Sequence, residues 1–139
     1  MVEFALSLLP FLALLFMTLD LAWIFFGWSC IQEGAREGVR WAVTGSGQVE
    51  TALDSHIKQV VQQYSFGFAN ASNVQVDYYP STGYSSSAMP ASIDGQVGAT
   101  AAGNVVRVTV QNVSIGTFGP IFRTVTSLPL SASSSDVMQ

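Results

Sequence analysis

Between Phe4 and Trp28 the only clearly polar side chains are Ser7, Thr18 and Asp20. About 25 such residues make a helix of roughly 37 Å, longer than the ~30 Å hydrocarbon core of a bilayer. A helix that is apolar all round must be buried in lipid or among other helices. This run is therefore not part of a soluble enzyme. It also differs from a signal peptide: no Lys or Arg precedes Arg36, and the run passes into a helical pattern without a cleavage-like break. It is expected to be retained, with a charged leader that precedes Met1 or has been removed.

The 139 residues suffice for that helix and one small domain. Val2 to about Thr44 read as one helix, which Pro10 should kink or loosen. After Trp28 it becomes amphipathic: Ile31, Ala35, Val39 and Ala42 alternate with Glu33, Arg36, Glu37 and Arg40. Thr44-Gly45-Ser46-Gly47 is the stop signal. From Gly45 onward the chain is polar. A second helix is expected from Val49 to about Tyr64, because Leu53, Ile57, Val60, Val61 and Tyr64 recur at three- and four-residue steps. Asn73–Tyr79 and Asn104–Val113 alternate as strands, and Leu128 to about Val137 is a weaker third strand. Pro80–Gly103 reads as a long loop, and Ile115–Thr126 as irregular chain broken by Gly116, Gly119 and Pro120.

The expected fold class is α+β. Residues 1–44 form the hydrophobic N-terminal helix. Residues 45–139 form a head whose second helix can cover one face of a three-stranded antiparallel sheet. So small a head should borrow part of its core from the C-terminal half of the long helix.

Catalytic chemistry finds no footing in this sequence. The net charge of −4 comes from few groups, and no basic cluster offers a nucleic-acid footprint. Cys30 is the only cysteine, so no disulfide forms within the chain. Its main reading is a small hydrophobe. His56 is the only histidine and has no Cys or acidic cluster at metal-ligand spacing. No phosphate loop or nucleophile–base motif is present. No enzyme activity, metal or cofactor is expected. Asn70-Ala71-Ser72 and Asn112-Val113-Ser114 match the glycosylation acceptor, a triplet common by chance, which makes Asn70 and Asn112 minor candidates. Ser85, Ser86 and Ser87 mark a flexible tip or a carrier of O-linked sugar.

The notable groups lie on the long helix. Glu3 sits at its mouth, where a carboxylate is costly unless paired or interfacial. Asp20 lies about 25 Å further along, inside the apolar run. With no basic residue of its own helix within one turn, its partner must be another chain, another element or a proton; a neighbouring subunit is favoured. Gly27, Gly34, Gly38, Ala42 and Gly45 fall at steps of seven, four, four and three, and so line one face. Such a face lets backbones approach closely, against a second helix or against the chain's own sheet. Glu33 with Arg36, and Glu37 with Arg40, can pair at i,i+3 on a solvated face or across chains.

Val2-Glu3-Phe4-Ala5-Leu6, the apolar run with Pro10 and Asp20, and Glu33-Gly34-Ala35-Arg36-Glu37-Gly38-Val39-Arg40-Trp41-Ala42 together resemble the TadE-like proteins of tight-adherence pili, relatives of type IV pilins. The resemblance covers about residues 2–45; the head is similar only in layout. It implies a short basic leader cut by a prepilin peptidase, a stay in the inner membrane, and then export through pilus assembly machinery into an extracellular filament of identical subunits. Glu3, with Phe4 beside it, would neutralise a neighbour's N-terminus. Asp20, Gly27, Gly34 and Gly38 would serve subunit assembly. Two departures stand out. Relatives place the first acid slightly deeper, so the mature chain would begin elsewhere than Met1. They also often carry a base shortly after the intramembrane acid, where this chain has Trp23. The reading is a structural pilus subunit. Its rivals are a minor pseudopilin that primes or caps the filament, and a single-span membrane protein with a binding head.

Overall fold

The computed structural model describes residues 2–85, 89–116 and 128–139. Helix α1 runs from Val2 to Thr44 and helix α2 from Glu50 to Tyr64. A 3-10 turn at Ala71–Asn73 leads into three strands: β1 (Val74–Tyr79), β2 (Val105–Ile115) and β3 (Leu128–Val137). The strands form one antiparallel sheet in the order β1-β2-β3, as the alternating residues implied. The helix continues through Pro10 rather than ending there.

Periodicity fixes what packs where. Ile31, Ala35, Val39 and Ala42 of α1 are buried, as are Leu53, Ile57 and Val61 of α2. They meet Val74, Val76 and Tyr78 of β1 and Val106, Val108 and Val110 of β2 in one core. The second helix is not the main cover of the sheet. Helix α1 lies along β2 and β3, while α2 packs chiefly on α1 and reaches the sheet at β1. The glycines that admit close neighbours are on α1, where they meet Val61 and Leu53 of α2 and Ile115 of β2.

Strand β2 outruns its expected end at Val113. Its register with β3 shifts between Val110 and Val113, which marks a β-bulge. Asn112 there has φ +56°, and Asn73 Nδ2 donates to the carbonyls of Gln111 (3.1 Å) and Asn112 (3.0 Å). Pairing then resumes, Val113 with Leu130 and Ile115 with Leu128. Gly119 and Pro120, read as breakers, lie outside the described residues.

The loop after β1 is pinned to the end of the head where α1 turns into α2. Gly47 N donates to Thr100 O at 2.8 Å, and Gly95 N donates to both carboxylate oxygens of Glu50 at 2.9 and 3.0 Å. Tyr78 links the parts: its hydroxyl donates to Asp54 Oδ1 at 2.7 Å and its amide to Asp94 Oδ1 at 2.6 Å. Burial pushes the Asp54 carboxyl up, opposed by that hydroxyl bond. Burial, and then Asp54 itself, push the Tyr78 hydroxyl well above the ordinary tyrosine range.

Candidate functional site

The sequence builds α1 in two halves, and the structure gives them different surroundings. In the N-terminal half, Phe4, Leu6, Leu9, Phe11, Leu14 and Phe25 are all more than 60% exposed. Only 6% of the most apolar stretch of this helix is buried within the molecule. More than a dozen large apolar side chains there stand exposed. At about 1.5–3 kcal/mol for each side chain moved out of water, full cover would be worth on the order of tens of kcal/mol. This half is long and apolar enough to cross a membrane. Its hydroxyls make no demand on surroundings, since Ser7 Oγ donates back to Glu3 O (3.0 Å) and Thr18 Oγ1 to Leu15 O (2.7 Å).

Glu3 and Phe4 are exposed in the first turn, where the helix dipole favours a carboxylate. Their surfaces are open to a partner. Asp20 is different: it is 2% exposed and interacts within its own chain. Of the partners the sequence allows, the structure places Asp20 against its own chain. The signal was in the spacing: Asp20, Gly27 and Gly34 are seven residues apart, so Asp20 continues the face that meets the head.

The glycine face is likewise occupied by the molecule itself. A Cβ on Gly27 would strike Ile115 Cδ1, and one on Gly45 would strike Leu53 Cδ1. On Gly34 it would stand 3.0 Å from the Val61 carbonyl oxygen, and on Gly38 2.7 Å from Val61 Cγ2. Within the subunit Gly27, Gly34 and Gly38 seat α1 against α2 and the sheet. The sequence left both readings open, because small-residue spacing carries no information about which neighbour approaches.

Of the charged quartet, Arg40 pairs with Glu37 at 3.8 Å, with Arg40 largely exposed. Glu33 and Arg36 do not meet at ion-pair distance. Such a pair on an open face contributes little. Cys30 is free and buried. The His56 ring stands edge-on to Trp41 at 5.2 Å. Among the described residues no group of His, Cys, Asp and Glu could hold a metal. Asn70 and Asn112 are both exposed, the first before the 3-10 turn and the second in the bulge. Of the serine loop, Ser86 and Ser87 lie outside the described residues.

Sequence reasoning passed over an aromatic group where α2 ends. Phe26 lies 6.4 Å from Phe66 and 6.1 Å from Phe68, and Trp23 lies 5.6 Å from Phe68 (ring centroids). The sequence signal was Phe66-Gly67-Phe68 itself, where Gly67 had served only as a stop.

Residues 1–40 match the family model of the TadE-like proteins. The resemblance read from the motifs holds over that segment, which includes Glu3, Asp20 and the glycine face as far as Gly38. No curated protein and no solved structure matches the chain.

Proposed function

We propose that this chain is a structural subunit of a Tad-type pilus, held first in the inner membrane and then polymerised through the N-terminal half of α1 with heads outside. The observation that carries the reading is the contrast along one helix: an exposed apolar half of more than a dozen large side chains, continuous with a half buried in the head. Such a surface must be covered. Lipid covers it before assembly, and the same half of identical subunits covers it afterwards. The TadE-like match over residues 1–40 supports a pilus-associated role. A contact that repeats head to tail without closing generates a helical filament.

Glu3 is the proposed chemical selector. A carboxylate at the edge of an apolar bundle is stabilised by a nearby amine, and each subunit of a filament brings an N-terminus. The test is Glu3→Gln. The variant should insert in the membrane normally and assemble slowly or not at all, scored by membrane fractionation and electron microscopy of sheared filaments. Assembly at the wild-type rate and length would remove the pairing. Filaments containing only this chain would establish it as a main subunit; particles without filaments would transfer the role to priming or capping.

A further inference from the structure

The turn after α2 places two phenylalanines where a soluble domain would place polar residues. Ser65-Phe66-Gly67-Phe68-Ala69 carries no charge. Ser65 is buried, and its Oγ donates to Gln62 O (3.1 Å) and accepts from Ala69 N (3.2 Å), so the turn is held from inside. Phe66 and Gly67 both have positive φ, +53° and +78°. For glycine this is free; for phenylalanine it costs about 1–2 kcal/mol. The strained residue gains no core contact in return: Phe66 is 78% exposed. Phe68 instead turns inward, onto Trp23 and Phe26.

The level of this turn along α1 matters. Helix α2 runs antiparallel to α1, with Leu53 opposite Gly45 and Val61 opposite Gly34, so its end descends to Trp23 and Phe26. From Glu3 to Trp23 is about 30 Å of helix, the thickness of the hydrocarbon core. If Glu3 marks one membrane face, Trp23, Phe26, Trp28 and the turn lie at the other. Aromatic rings concentrate at that depth.

We propose that Phe66 inserts into the interfacial layer of the lipid bilayer beside Trp23, Phe26 and Trp28, so that the membrane-held subunit rests its head on the lipid in a fixed orientation. The occupant is lipid because the patch is continuous with the apolar half of α1 and ends at the depth where that half would leave the hydrocarbon. The inference rests on the membrane stage of the function proposed above and deepens it. The spanning helix alone would let the head swivel; a second contact, on the turn after α2, removes that freedom.

The experiment uses the full chain in phosphatidylcholine vesicles, with Cys30→Ala and one fluorescent nitrobenzoxadiazole label on Phe66→Cys, Val97→Cys or Leu12→Cys. Val97 is fully exposed in the loop pinned at the opposite end of the head. Lipids carry a nitroxide quencher either near the headgroup or near the chain end. The label at 66 should lose most of its emission to the shallow quencher and little to the deep one. The label at 97 should lose none, and the label at 12 should respond to the deep quencher. A label at 66 that behaves as the one at 97, while the one at 12 is quenched, overturns the inference and leaves the membrane stage standing. Absence of quenching at 12 overturns the membrane stage itself. A label at 66 shielded from aqueous iodide yet untouched by either lipid quencher means a second copy covers the turn, which also overturns it. To separate the native ring from the dye, a label on exposed Gln63→Cys is compared with and without Phe66→Asp; the shallow quenching should drop when the ring is lost, and no change would count against Phe66 as the anchor.

Discussion

The two halves of α1 share a helix and little else. From Gly27 to Gly45 the residues that face the head are Gly or small and medium apolar side chains, and their neighbours are fixed within the chain. From Phe4 to Phe26 most residues are large and apolar, and most of those have no cover from the molecule. The difference teaches that side-chain size records who the neighbour is. Where the partner is built into the chain, the helix thins to admit it. Where the molecule itself supplies no cover, the helix stays thick and greasy.

The strongest way to break this comparison is to thicken the buried half. Gly34→Leu pushes a branched side chain against the Val61 carbonyl and the Ser65 amide, both backbone groups that cannot rotate away. It should destabilise the head by about 3 kcal/mol or more, against the usual 1–3 for overpacking. Thermal unfolding in detergent, before any polymer forms, is the check. On the sequence alone the same substitution would be expected to harm filaments more than the subunit; an unaltered melting temperature with weakened filaments would restore that view.

The next probe asks how much of the head is held by the β1–α2 hydrogen bond rather than by the glycine seam. Tyr78→Phe removes the donor to Asp54 and leaves a half-buried carboxyl short of a partner. A loss of about 1–2 kcal/mol is expected from urea unfolding. A loss as large as that of Gly34→Leu would mean that the link between β1 and α2, not the seam, dominates.

Protonation sharpens the same point. The folded carboxyl of Asp54 is raised, so the folded state keeps its proton at pH values where the unfolded chain has lost it. The folded state then binds more protons, and this group's contribution falls as pH rises from about 4, the ordinary carboxylate range. Melting temperatures from pH 3.5 upward should decline less in Asp54→Asn than in the unsubstituted chain. Equal slopes would show that Asp54 is not differentially protonated. Smallest of all should be Leu14→Ala in the exposed half, which should change head stability by no more than about 0.5 kcal/mol, since Leu14 is 65% exposed. A larger loss would mean the halves are not independent.

Much of this architecture was legible in the residues. Three- and four-residue steps located α2, alternation located β1 and β2, and the apolar run defined the first half of α1. What escaped was contact across elements. Nothing local distinguishes a glycine that admits a foreign helix from one that admits Val61. The bulge at Asn112 was hidden because an extra residue merely interrupts alternation, and only pairing with β3 shows that the strand resumes. The burial of Asp20 and the display of Phe66 both depend on where the head sits along α1, a length that depends on the α1–α2 turn and not on either residue's neighbours in sequence.

The last described strand has a practical corollary. Met138 N donates to Asn104 O at 2.8 Å, and Ser46 Oγ donates to the Gln139 carbonyl, beside the α1–α2 turn. The 43 residues of α1 put some 64 Å between that point and the first turn at Glu3. A fluorophore placed at Gln139 would therefore report on the end of the head farthest along α1 from the half whose apolar side chains the molecule leaves uncovered.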